Sequence, residues 1–280
     1  MKKSIRGIVL LSLVLFGCEQ TTNEGYKKEV VVNATLTAGL RIDTLRLLWT
    51  GEVDKFYNPA ALAIPNATVI IRGIDIDFYD SLFYDSRNPG RYFSAYPRKV
   101  IFPAKSYSMA ITIPGWPGPI TAATTVPDTF SIISATVSAG DTIEYNPLAP
   151  VHQFFWSPSK FQGSYLPTIA YLDANPAMIP KVYYGDTTAS DFQRPPKMSY
   201  RSGLPKDQTN TDLPWVFLSY FGNLQIDVYA VDNNYSGFID QILTAQGGEL
   251  TEIRYNIQGG IGVFGSRTKA AGGMKVYLKP

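Results

Sequence analysis

Four patterns in this 280-residue chain have residue types and spacings that could do chemistry. Gly260-Ile261-Gly262-Val263-Phe264-Gly265 matches GxGxxG, in which glycines let the backbone approach a dinucleotide pyrophosphate. That use needs a strand before the motif, a helix after it and an acidic residue about 20 positions on. Ser266-Arg267-Thr268-Lys269 and Gly272-Gly273 follow instead, so no βαβ unit is expected before Pro280. These glycines are expected to shape a turn and a closely packed strand. Ser157-Pro158-Ser159-Lys160 matches SxxK, where lysine activates a serine nucleophile, but the companion S-D-N and K-T-G signatures are missing. His152 is the only histidine and the only imidazole base for a triad. With no GxSxG elbow in the chain, it is expected to be an ordinary surface or edge-strand residue.

The fourth pattern is acidic. Asp75, Asp77 and Asp80, with Asp85 and Asn88, have oxygen ligands to offer a hard cation, but Tyr79 stands where a calcium loop needs its third ligand. Alternation with Ile76 and Phe78 points to a strand with one solvated face, and no metal is expected. Asp186, Asp191 and Asp207 form a second, looser group. Paired carboxylates can cleave glycosidic bonds at defined separations, so Asp75 with Asp77, or Asp186 with Asp191, leaves a hydrolase or glycan-active enzyme as an alternative. Aromatic residues are the remaining candidates. Phe78, Tyr79, Phe83, Tyr84 and Tyr92 in one segment, and Tyr183 and Tyr184 in another, form a ligand or partner surface if exposed. If buried, they pack a core.

Cys18 is the only cysteine, which removes disulfides and Cys-based zinc from consideration. It follows a basic start (Lys2, Lys3, Arg6) and the apolar run Ile8 to Phe16, too short for the roughly 20 residues that span a bilayer. Leu15-Phe16-Gly17-Cys18 has the form of a lipobox, which makes residues 1–17 a signal peptide, Cys18 a lipid acceptor (palmitate among the chains) and 18–27 a tether. One acyl chain holds a protein only marginally, so lasting attachment takes two or three. Glu19, where an Asp would resemble an inner-membrane retention signal, favours the outer membrane; which side of it the protein faces stays open. Without Lys2, Lys3 and Arg6, the 25 Lys and Arg fall to 22 against 23 acidic residues, and the formal charge drops from +2 to −1. A nucleic-acid partner has no electrostatic support.

The elements that must position these residues read as β. Charged residues make up only 17%, while 18 Tyr, 20 Pro and 23 Gly favour short strands and turns. The fold class is mainly β: an Ig-like sandwich over 28–127, then a second β-rich domain over 128–280. Strands are expected at 28–37 and 40–49 as a hairpin through Ala38-Gly39, then at 66–72, 107–113 and 120–126. In the second half they fall at 130–137, 153–156, 165–172, 213–220 and 224–231, with 261–264 and 274–278 as a closing pair. A long, partly irregular loop is expected over 175–211. One short helix near 233–245 follows from Phe238, Ile239 and Ile242, capped by Asp232 or Asn233 and ended at Gly247-Gly248.

In order along the chain, several blocks resemble a known family. They are the lipobox at Cys18, Val30 to Thr37, Ile64 to Val69, Phe102 to Tyr107, Ile120 to Pro127 and Asn256 to Gly265. Together they resemble the lipoprotein family of Bacteroidota-type bacteria called domain of unknown function four-two-four-nine, over nearly the whole mature chain, with a short middle region as the departure. The resemblance implies a surface or periplasm-facing lipoprotein that accompanies a TonB-dependent outer-membrane transporter, and it carries over no catalytic residue. The expected function is therefore non-enzymatic binding or accessory work beside such a transporter, with no cofactor. A purely structural or adhesive surface protein is the third alternative.

Overall fold

Alternation of apolar and polar residues builds most of this chain. The structure, a computed structural model, describes residues 26–52, 55–200, 203–246 and 256–280. The signal peptide, Cys18, the tether up to residue 25 and Gly247-Gly248 lie outside the described residues. The elements in order are β1 (Val30–Thr37), β2 (Leu45–Trp49), a one-turn helix α1 (Pro59–Leu62), β3 (Thr68–Gly73), β4 (Tyr79–Tyr84), β5 (Arg91–Phe93), β6 (Ser106–Thr112) and β7 (Ile120–Thr125). Then come β8 (Ile132–Ala135), β9 (Thr142–Glu144), β10 (His152–Trp156), β11 (Ser164–Tyr171), β12 (Met198–Tyr200), β13 (Leu204–Pro205) and β14 (Asn210–Leu213). β15 (Gly222–Val231), α2 (Asn233–Gln246), β16 (Ile261–Lys269) and β17 (Met274–Lys279) complete them. The protein is mainly β, and α2 is the one helix of more than a turn or so among the described residues.

Two hydrophobic cores result. The first draws Val30, Val32, Ala34 and Leu36 from alternate positions of β1, with Leu45, Leu47, Val69, Ile71, Tyr107 and Ile111 from its neighbours. The second gathers Phe154, Trp156, Tyr165, Leu224, Ile226 and Val276. Strands β11 and β15 are buried along nearly their whole length, as central strands covered on both faces should be. A small sheet of order β14-β10-β8 supplies Phe154 and Trp156 to the second core. The apolar void beside Phe154, Ile169, Leu213 and Ile226 is about 30 Å³, room for about one water and no larger ligand.

The cores are not sequential modules side by side. Late strand β16 pairs in parallel with β1, from Val31↔Ile261 to Thr37↔Arg267, and places Phe264 and neighbouring Ile257 in the first core. The other end of β16 pairs with β15, so one hydrogen-bonded path runs β12-β11-β15-β16-β1-β2-β5-β4-β3-β6-β7. This path doubles back: Thr124, on its terminal strand β7, meets Ser266 in the middle.

Several expectations are corrected. β16 and β17 do not pair with each other; β15 pairs with both, β17 along Gly222 to Ile226 and β16 along Tyr229 to Val231. The stretch 213–220 is no strand, because Pro214 cannot donate to a ladder and a 3₁₀ turn, Trp215–Phe217, follows it. Residues 74–78 turn between β3 and β4 rather than extend, with the Asp75 carboxylate accepting the Ser106 N–H at 2.9 Å. The first hairpin is joined by a longer connection than Ala38-Gly39, since β2 begins only at Leu45.

Candidate functional site

The described residues bring polar groups together most tightly where the two cores meet. Asp232 follows β15 and caps α2, its Oδ1 accepting the Tyr235 N–H at 3.0 Å. The same oxygen accepts the Ser266 N–H from β16 at 3.0 Å, and Oδ2 accepts the Thr124 hydroxyl from β7 at 2.6 Å. The Thr124 and Ser266 hydroxyls lie 2.7 Å apart, and Ser266 Oγ reaches the Thr125 carbonyl at 3.1 Å. Asp232 is 3% exposed and Ser266 fully buried. Burial pushes the Asp232 carboxyl above the usual carboxylate range, against the opposing pull of the Thr124, Ser266 and Tyr235 donors. The cleft above it holds about 440 Å³ and is lined by Ile74, Ser106, Thr125, Phe161 and Asn234. Thr124 and Ser266 carry no sequence signal; Asp232 was legible only as a helix cap.

A second cleft, of about 530 Å³, opens near the start of the described chain. Trp49 forms its wall, with Lys28 Nζ 4.2 Å from the ring centre and Trp116 tilted against it at 5.3 Å. The Tyr26 hydroxyl bonds to Thr50, and Phe56 and Tyr57 project outward, 96% and 61% exposed. No local pattern marks this cluster in the sequence.

The motifs singled out by sequence are occupied elsewhere. Gly260 and Gly265 are sites of close approach: a Cβ at Gly260 would lie 2.8 Å from the Val30 carbonyl oxygen, and one at Gly265 2.7 Å from Tyr235 Cβ. Ser157 Oγ accepts the Ser131 N–H at 3.0 Å and tucks one strand end onto another. His152 sits edge-on to Trp215 at 5.4 Å, with Nδ1 3.3 Å from the Thr136 hydroxyl. Burial lowers its pKa, so the folded state favours neutral imidazole while the unfolded chain titrates near 6.5. Its stability contribution is therefore complete above about pH 6.5 and is lost as pH falls through the lower folded value. Urea midpoints measured from pH 7.5 to 5 should fall more steeply for the wild type than for His152→Phe.

The acidic group is dispersed. Asp75 ties its turn to the start of β6 through the Ser106 N–H, and Asp80 points inward from β4, fully buried with Lys99 Nζ at 3.8 Å. Asp85 is held low mainly by the Asn88 amide, with Arg91 at 2.9 Å. Asp186 caps Thr188, whose hydroxyl and N–H hold its pKa down; Asp77 and Asp191 are exposed. Among the described residues, no group of three or more His, Cys, Asp or Glu is placed to hold a metal ion.

The aromatic candidates separate by strand face. Tyr79 and Phe83 are each 49% exposed, while Phe78 packs on Tyr107 and Tyr84 on Tyr92. Tyr92 corrects the surface expectation. It is 1% exposed, its hydroxyl donating to the Ile64 carbonyl and accepting the Ala67 N–H, so it builds the core. Tyr183 (63% exposed) and Tyr184 meet edge to face at 4.7 Å under Lys181, on loops of the second core.

Two β-built cores spliced by a late strand, with polar groups tying their junction, define a mainly β protein. The chain belongs to the family described as Domain of unknown function (DUF4249), matched over residues 19–271. No curated protein matches it. Among solved structures it is similar to the FN1–FN3 domains of chicken CNTN1, at 12% identity and TM-score 0.25, covering 72% of this chain and 60% of that one. It is also similar to a two-domain fibronectin type-III segment of chicken tenascin, at 10% identity and TM-score 0.22, covering 74% and 93%. Agreement at this level carries no argument about function, and the mainly β assignment rests on the strands themselves.

Proposed function

We propose that this protein is a lipid-anchored, non-enzymatic binding or accessory component of the outer membrane, working beside a TonB-dependent transporter. Membership of a family without an assigned activity is compatible with that reading. The observation that carries it is the occupation of the reactive groups. Asp75, Asp186, Ser157 and His152 each serve a turn, a strand end or an aromatic contact, on separate elements. The lipobox at Cys18, just ahead of the first described residue, supplies the membrane half of the reading. Cys18→Ser is expected to end metabolic labelling by palmitate and to move the protein out of the membrane fraction. A variant that stays membrane-bound after a salt wash would refute the anchor. Detergent extracts of outer membranes should yield the wild type together with a transporter; consistent recovery of the protein alone would remove the partner.

A further inference from the structure

The Trp49 cleft is lined by Tyr26, the first described residue, eight positions beyond the expected anchor at Cys18. Cys18 and Tyr26 are eight peptide steps apart, a reach of at most about 29 Å even when fully extended. At its end the chain is pinned: the Tyr26 hydroxyl bonds to Thr50, and the Glu29 N–H donates to Thr50 Oγ1 at 3.0 Å. The surface so positioned has the composition of a lipid interface. Trp49 and Trp116 are half-buried, Phe56 and Tyr57 project into solvent, and Lys28 lies over Trp49. Trp116 is flanked by exposed Pro114, Pro117 and Pro119, with its indole N–H donating to the Gly259 carbonyl at 3.3 Å. Tryptophan and tyrosine concentrate at headgroup level, where an apolar body and a polar edge are both satisfied. Along this stretch of sequence Lys27, Lys28 and Lys55 are balanced by Glu29, Glu52 and Asp54, and each Glu has a lysine within 3.4 Å, so the edge is close to neutral. A near-neutral, aromatic edge suits the headgroup layer through its Trp and Tyr side chains rather than through charge.

We infer that this face, centred on Tyr26, Trp49, Phe56, Tyr57 and Trp116, docks on the lipid headgroups of the membrane that holds the Cys18 anchor. The inference rests on that anchor. A short tether keeps the patch at an effective concentration of order millimolar relative to the surface, so individually feeble contacts suffice to orient the ectodomain. Lipid is the occupant, because the tether delivers this face to the bilayer whether or not a protein partner is present.

Full-length lipidated protein reconstituted in vesicles of zwitterionic and anionic phospholipid, brominated high on the acyl chains, tests it. Trp156 and Trp215 are buried, so contact quenching reports on Trp49 and Trp116, two of the four tryptophans. Expected is loss of the emission carried by those two, abolished in W49F/W116F and reduced at least severalfold in F56S/Y57S, with all three proteins floating with the vesicles. Protein that floats but is unquenched, or quenching unchanged in F56S/Y57S, overturns the docking face and leaves the anchor standing. Protein that does not float overturns the anchor and the inference together.

Discussion

Asp232→Ala is expected to lower folding stability by about 3 kcal/mol, while Asp232→Asn stays within about 1 kcal/mol of wild type at pH 7. The alanine strands two backbone donors, the Ser266 N–H and the Tyr235 N–H, while the Thr124 hydroxyl loses its carboxylate and must turn to Ser266 Oγ. Each unsatisfied group costs about 1–3 kcal/mol, and loss of the α2 cap adds about 1 kcal/mol. Relief from burying a carboxylate offsets part of that sum. Asparagine keeps every bond: its Oδ1 serves both N–H groups, and its amide donates to Thr124 Oγ1. The Thr124 proton then turns to Ser266 Oγ at 2.7 Å, and Ser266 donates to the Thr125 carbonyl. The pH dependence has a defined sign. Because burial raises the folded-state pKa of Asp232, its stabilising contribution is whole below the unfolded value of 3.8 and is lost as pH rises through the folded one. Asp232→Asn should therefore gain on wild type as pH climbs through that window, in urea melts at a series of pH values. An alanine variant as stable as the asparagine one would show that the hydrogen bonds at the junction contribute nothing.

What the sequence made legible was local. The β1 pattern, with Val30, Val32, Ala34 and Leu36 inward, needs only period-2 alternation to be seen, and α2 needs only a cap and apolar spacing. The β1–β16 pairing joins residues 230 apart, and nothing in either strand names its partner. The same limit explains the misassigned closing pair. β16 and β17 read as a hairpin because they are neighbours in sequence, yet buried β15 separates them by pairing with both. Pro214 was a local signal against a strand over 213–220, outweighed by the apolar run around it.

The site was less legible than the fold for the same reason. Asp232, Thr124 and Ser266 come from three segments up to 142 residues apart, each unremarkable alone. Tyr92 and Phe83 share aromatic chemistry and adjacent strands, but one faces the core and the other solvent, which only strand register decides. The Asp75–Asp80 alternation failed because Gly73 and the following turn break the strand before the pattern can be laid on a sheet.

Gly262 joins the motif to the fold, and Gly262→Val is expected to cost more than about 3 kcal/mol or to prevent folding. Its φ is +111°, a conformation open essentially to glycine alone, and any Cβ there would be driven into the Val32 carbonyl oxygen. That carbonyl belongs to β1 at the Val32↔Gly262 register position, so the obstruction falls within the parallel pairing that splices the two cores. Relaxing the clash means separating the strands, which opens Val30, Val32 and Phe264 to water. Gly115 supplies the control. Its φ is +79° with open space where a Cβ would stand, so Gly115→Ala should cost only the backbone term of about 1–2 kcal/mol. Gly262→Ala should exceed it clearly in equilibrium urea unfolding; equal losses would mean that backbone conformation, not strand contact, selects glycine there. A dinucleotide should also give wild type no thermal protection. In a fingerprint, glycines clear space for phosphate, whereas here Val30, Val32 and Tyr235 already fill the space that Gly260, Gly262 and Gly265 leave.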